Sequence, residues 1–204
     1  MIVLTFAHKG EAQEFIRRKH TIAVEFYFKG LFRCEDELLL ISGEGLRTTA
    51  ERLTAVCTYY GKNIFYVLNL GIAGALVNVL QVNQIYGIHR IYLESLDMNT
   101  AKVYTTANQY SKYDCITARH PVLDRSYAQK LSVYAQIVDR ELWACASVCE
   151  RFKIPLKSYK LISDYADSHT LRHGIKGKAA GFSKHLFDFY KKLDLHNLHW
   201  PSGI

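Results

Sequence analysis

The sequence has no CxxC pair, no apolar run long enough to span a bilayer, no complete GxGxxG fingerprint, and no repeat, low-complexity tract or linker. Each absence removes a class of protein. The cysteines (Cys34, Cys57, Cys115, Cys145 and Cys149) are odd in number and lie inside apolar segments, so they read as small core residues of a reducing compartment. The apolar start, residues 1–7, breaks at His8, Lys9, Gly10 and Glu11, too early for a signal-peptide core or a membrane span. A cytoplasmic protein with no membrane partner is expected. The formal net charge is +7, but lysines and arginines are scattered, with short runs such as Arg17-Arg18-Lys19 and Lys191-Lys192, so no nucleic-acid footprint is expected. Nine histidines include one helical-looking i,i+4 pair, His169 and His173, without HExxH context or a clear third ligand, and no metal site is predicted. What is present is ordinary: 204 residues, 49% hydrophobic and 22% charged, the size and balance of one globular domain spanning 1–204.

Hydrophobic periodicity divides the chain into alternating strands and helices. Residues 2–7 form a short apolar run expected of a buried strand, and 10–19 follow as a helix with Ala12, Phe15 and Ile16 on one face. Residues 22–29 and 38–41 read as strands, joined through Gly30 and an acidic turn at 35–37. A glycine-rich turn, SGEGLRTTA at 42–50, leads into a helix to about Tyr60. A strand at 63–70 ends in a second glycine turn, NLGIAGAL at 69–76. A β-rich section follows at 84–94, 101–107 and 113–117, then a helix at 124–134 and a strand at 135–138. The stretch VDRELWA opens a helix through Phe152, a stop at Lys153, Ile154 and Pro155 separates it from a strand at 156–163, and a last helix covers 182–193, with His196, His199 and Trp200 as an aromatic tail. This alternation predicts a three-layer α/β/α fold around a central mixed, largely parallel sheet. Ligands bind at the carboxyl ends of strands in such sheets, and Glu11, Gly43, Gly45, Gly71, Gly74, Glu141 and Asp164 all follow predicted strands.

In motif order, the chain resembles the purine nucleoside phosphorylase and uridine phosphorylase superfamily, most closely its methylthioadenosine/S-adenosylhomocysteine nucleosidase branch. SGEGLRTTA looks like the family's SGIGxxxA turn and NLGIAGAL like its NxGxAGxL turn; VDRE at 138–141 matches V-E/D-M-E, and ISDYAD at 162–167 matches ISDxAD. The last two, separated by a helix and an Ile-Pro, carry most of the specificity. The resemblance implies the family's phosphorylase/hydrolase-like fold and a small-molecule nucleoside as ligand. It also implies a homodimer and no metal or organic cofactor.

By position, the resemblance places Glu11 as the carboxylate that activates water, Glu141 on the ribose hydroxyls with Arg140 beside it, and Asp164 on the purine. Gly43, Gly71, Ile72, Ala73, Gly74, Lys160 and Ser163 would line the substrate and water site, and Ile116 and Thr117 would frame the base. The implied reaction is hydrolysis of a purine nucleoside's N-glycosidic bond. That chemistry needs a protonated leaving base, a stabilised oxocarbenium ion and a positioned nucleophile, and three carboxylates suit those tasks. The phosphorylase branch resembles R-x-G-S/T-x-G in the second glycine turn. Here Asn69 and Ile72 replace the arginine and the hydroxyl, which favours water over phosphate, although Arg47 and Lys160 leave a phosphate-dependent reaction open. A nucleoside-binding protein without turnover is the third alternative. Arg140 stands where the family has methionine, an apolar platform under the ribose. It reads either as turned outward to solvent or to a salt bridge, or as the reader of a carboxylate or phosphate near the sugar.

Overall fold

Alternate residues of the central strands point into two different cores. Val3, Leu38, Leu40 and Val67 join one cluster, while Leu4, Leu39, Ile41, Leu68 and Leu70 join a second across the sheet, as the two-residue period of a strand requires. The computed structural model describes residues 1–95, 97, 102–108, 111–166 and 172–193, the first five residues of the last segment by backbone alone. In chain order the elements are β1 (Ile2–Phe6), α1 (Lys9–Arg18), β2 (Ile22–Ala23), β3 (Leu31–Cys34), β4 (Glu37–Ile41), α2 (Gly45–Tyr60), β5 (Tyr66–Ala75), β6 (Ile85–Leu93), β7 (Tyr104–Thr105), β8 (Tyr113–Thr117), α3 (Arg125–Ser132), β9 (Ile137–Asp139), α4 (Leu142–Phe152), β10 (Leu156–Tyr165) and α5 (Arg172–Tyr190).

All the described strands belong to one ten-stranded mixed sheet flanked by helices. β1 pairs in parallel with β4 and β5, and β5 in parallel with β10. The pairing path then runs from β10 to β6, β8 and β9 and returns to β5, so half of the sheet curls into a closed barrel. Leu53, Val56 and Cys57 of α2 and Leu142, Cys145 and Cys149 of α4 cover one face; Ala12 and Phe15 of α1 with Phe182, Leu186, Phe187 and Tyr190 of α5 cover the other. Phe15 packs edge-on to Phe187 and Tyr190, with ring centroids 5.1 and 5.3 Å away. Among the described residues, no helix is long and apolar enough to cross a membrane.

Four features differ from the sequence expectation. The strand predicted at 22–29 stops at Ala23, because Phe26 packs against Tyr27, Phe28 and Tyr59 in an aromatic cluster instead of alternating across a sheet. The neighbouring strand, β3, falls instead where a connection was expected. The second glycine turn is no turn. β5 runs straight through Gly71 and Gly74, since β10 hydrogen-bonds along the whole segment and β9 along its end. α5 begins about ten residues before the predicted 182, while Asp167, His169, His196, His199 and Trp200 lie outside the described residues, as does the side chain of His173.

Candidate active site

Glu11 is fixed before any ligand arrives. It stands in the first turn of α1, where its Oε2 accepts the His8 N–H at 3.0 Å, so the side chain caps its own helix. Its Oε1 accepts the Ile72 N–H of β5 at 2.9 Å, which pins the carboxylate to the centre of the sheet, and the residue is only 5% exposed. Gly71 makes that approach possible. A Cβ there would lie 3.3 Å from Glu11 Oε1 and 3.8 Å from Lys160 Nζ.

On the opposite side, β10 carries Asp164 past a bulge. Its register on β5 shifts between Ile162 and Asp164, and Ser163, whose hydroxyl donates to Asp164 Oδ2 and lies 3.2 Å from the Ala73 carbonyl, occupies the irregular step. Bulges of this kind re-aim a side chain, and here Asp164 is turned, half-buried, into the cavity. Between the two acids, Glu141 ends the β9–α4 connection with Oε1 accepting the Gly45 N–H of α2 at 2.7 Å. Burial, and then the nearby Asp139 carboxylate, push Glu141 up to about 7, against the opposing pull of that amide and of Lys160.

Behind Glu141 lies a buried polar cluster. Lys160 Nζ meets Asp139 Oδ2 at 2.8 Å, and Asp139 also accepts from Thr117 Oγ1 at 2.7 Å and from the Leu142 N–H at 2.9 Å. Thr117 Oγ1 in turn accepts the Trp143 N–H at 2.9 Å, so two side chains satisfy the first amides of α4. Burial pulls Lys160 down, but Asp139, Cys115 and Glu141 together outweigh it and hold the ammonium above its usual range. A second network crosses β1, β5 and β10. Asn69 donates to Thr5 Oγ1 and accepts from Ser158 Oγ, both at 3.1 Å.

These elements enclose a cavity of about 500 Å³ lined by Glu11, Ile72, Ala73, Gly74, Val138, Arg140, Glu141, Ser163 and Asp164 among others. Five carboxylates reach it: Glu11, Glu44, Asp139, Glu141 and Asp164. The chain is basic overall, yet its cavity is acidic, which suits a ligand that becomes positively charged and disfavours an anion. Among the described residues, no group of three or more His, Cys, Asp or Glu side chains is placed to hold a metal ion.

Several residues expected in the lining stand elsewhere. Gly43, with φ of +85°, shapes the turn before α2, and Gly71 makes room for Glu11, but neither lines the cavity. Lys160 is buried and committed to Asp139. Ile116 and Thr117 are fully buried, Ile116 in a core cluster and Thr117 beneath α4, because the wall of that side is built after β8 ends, by Ala118, His120, Pro121, Val122 and Leu123. Of the residues expected to follow strands, Gly71 and Gly74 lie within β5 and Asp164 lies within β10. Sequence reasoning missed His8, Glu44 and Asp139, although each neighbours a motif residue, and Ala179 and Phe182, which α5 brings over the mouth.

No protein-family model matches the chain, and no curated protein matches it in sequence. Solved structures do share its fold. A futalosine hydrolase mutant of Helicobacter pylori superposes with a TM-score of 0.81 at 16% identity, covering 93% of this chain and 96% of that one. A methylthioadenosine/S-adenosylhomocysteine nucleosidase of the same organism gives 0.77 at 18% identity over 94% and 98%. A putative nucleosidase from Francisella philomiragia gives 0.80 at 15% identity over 94% and 99%. The chain therefore shares the fold of these nucleosidase and futalosine hydrolase structures at 15–18% sequence identity.

Proposed function

We propose that this protein hydrolyses the N-glycosidic bond of a purine nucleoside, releasing the free base and the ribose moiety. The observation that carries the reading is the convergence of Glu11, Glu141 and Asp164 on one cavity from three distant parts of the chain. The nucleosidase and futalosine hydrolase folds it shares support the same reaction class.

In this mechanism Asp164, in its protonated form, delivers a proton to N7 as the C1′–N9 bond breaks and its electron pair leaves with the base. Glu141 holds the ribose hydroxyls through the oxygen not engaged by Gly45, and the surrounding carboxylates oppose the positive charge developing on the ring. Glu11, immobilised by two backbone amides, takes a proton from the water whose oxygen bonds to C1′. Phosphate is the poorer nucleophile here. Asn69, where the phosphorylases carry arginine, is 3% exposed and tied to Thr5 and Ser158, and Arg140 at the cavity meets Glu44 at 3.5 Å. The reading needs neither metal nor organic cofactor. Its five thiols, all free, suit a cytoplasmic setting, and the resemblance supports one nucleosidase-like domain acting as a homodimer, to be checked by sedimentation.

The test is release of free base from purine nucleosides with and without inorganic phosphate. Phosphate-independent release is expected. A strict phosphate requirement would replace hydrolysis by phosphorolysis, and binding without release would leave a nucleoside-binding protein.

A further inference from the structure

The mouth of the cavity carries a polar cluster for which the reaction has no use. Glu44 Oε1 lies 3.0 Å from His8 Nε2 and Glu44 Oε2 lies 3.5 Å from Arg140 Nη1, so one carboxylate joins the loop before α1 to the loop before α4. All three residues line the cavity. Stability does not account for them, because the His8 and Glu44 side chains are 51% and 54% exposed and such pairs contribute little. Among the described residues, Arg140 Nε is buried without a hydrogen-bond partner, a cost that folding alone would have removed. Both halves of the Glu44–Arg140 pair also depart from the motifs that the chain otherwise resembles: glutamate for the isoleucine of SGIG, and arginine for the methionine of V-E/D-M-E. An apolar pair of positions has become a charged one, in contact.

Resting on the nucleosidase reading, we propose that His8, Glu44 and Arg140 form a specificity rim that selects nucleosides ending in a small polar 5′ group, such as a free hydroxyl, over apolar thioethers and anionic tails. With Asp164 on the base and Glu141, the neighbour of Arg140, on the 2′ and 3′ hydroxyls, the ring substituent still without a partner is the one on C4′. A hydroxyl there needs one acceptor and one donor, and the rim supplies both. An alkylthio group would have to desolvate a carboxylate and a guanidinium without replacing their hydrogen bonds. A phosphate or carboxylate gains little either, since Glu44 already pairs with Arg140 and, histidines aside, the other ionisable side chains of the lining are the carboxylates Glu11, Asp139, Glu141 and Asp164. On this proposal Arg140 acts through its ion pair with Glu44, which shapes selectivity without binding an anion.

The experiment compares adenosine, 5′-methylthioadenosine and adenosine 5′-monophosphate, and the corresponding inosine series, by kcat/KM for base release and by thermal shift. For at least one base, the 5′-hydroxyl nucleoside is expected to exceed both of its relatives by roughly 10-fold or more. Glu44→Ile with Arg140→Met should reverse the order toward the thioether. Glu44→Gln, which keeps the shape and removes the charge, should lessen the discrimination against the monophosphate and serves if the double variant fails to fold. Hydrolysis that prefers the methylthio or phosphorylated compound overturns the rim assignment and leaves the hydrolase standing. Preferential binding of the 5′-hydroxyl compound without cleavage sustains the rim and overturns the hydrolase. Failure of all six compounds to bind or react overturns both.

Discussion

Two ion pairs flank Glu141, one in the interior and one at the mouth. Lys160 and Asp139 are 3% and 1% exposed in their side chains and share hydrogen bonds with Thr117 and the first turn of α4. Glu44 is more than half exposed and meets Arg140 and His8 directly, at 3.5 and 3.0 Å. Buried charges cannot relax into solvent, so the inner pair fixes where β9, β10 and α4 stand; its Asp139 half adds to the effect of burial in raising the affinity of Glu141 for its proton, and Lys160 opposes it. The outer pair can exchange its partners for solvent or ligand at small cost, which is what a selective rim requires. A carboxylate paired with a cation thus builds a frame in one place and a reader in another.

The largest test of that contrast is Lys160→Met, which leaves Asp139 buried and uncompensated. The unfolding free energy from urea titration should fall by about 3–5 kcal/mol. A loss below about 1 kcal/mol, in the range of an exposed pair, would erase the distinction. Next come the acids on the cavity floor. Asp164→Asn and Glu11→Gln should each lower turnover by at least ~100-fold with unchanged circular dichroism, because each removes a proton-transfer group. Near-normal rates in either would withdraw its role.

Glu141 offers a smaller effect with a definite sign. Its folded pKa is raised above the ordinary 4.5 to about 7, so the stability it contributes is complete below 4.5 and lost as pH rises through about 7. The melting temperature of the free protein should include a decline across that window, and Glu141→Gln should flatten it; an unaltered slope would contradict the assignment. The smallest change is expected at the rim. Glu44→Gln should alter the unfolding free energy by no more than about 1 kcal/mol. A larger loss would make the rim structural.

The sequence exposed most of the frame because apolar alternation and helix stops are local signals. The runs of β1 and β4, the cap formed by Glu11 and the Lys153-Ile154-Pro155 stop before β10 are written within a few residues of where they act. The motif residues Glu11, Glu141 and Asp164 were legible for the same reason, each standing near the end of a recognisable element. Residues 24–29 and 69–76 misled because their fate depended on partners far away: Tyr59 and Tyr60 for the first, β9 and β10 for the second.

What the sequence determined by itself is therefore the order of elements and the placing of Glu11, Glu141 and Asp164 near the ends of them. Tertiary structure alone decided that half of the sheet closes on itself, that Lys160 belongs to the interior, and that Ala118 to Leu123 form the wall in place of Ile116 and Thr117. It alone also joined Glu44 to Arg140, residues 96 positions apart in the sequence. The physical reason is range: propensity and periodicity act over a few residues, whereas desolvation and charge pairing depend on which surfaces the fold brings together.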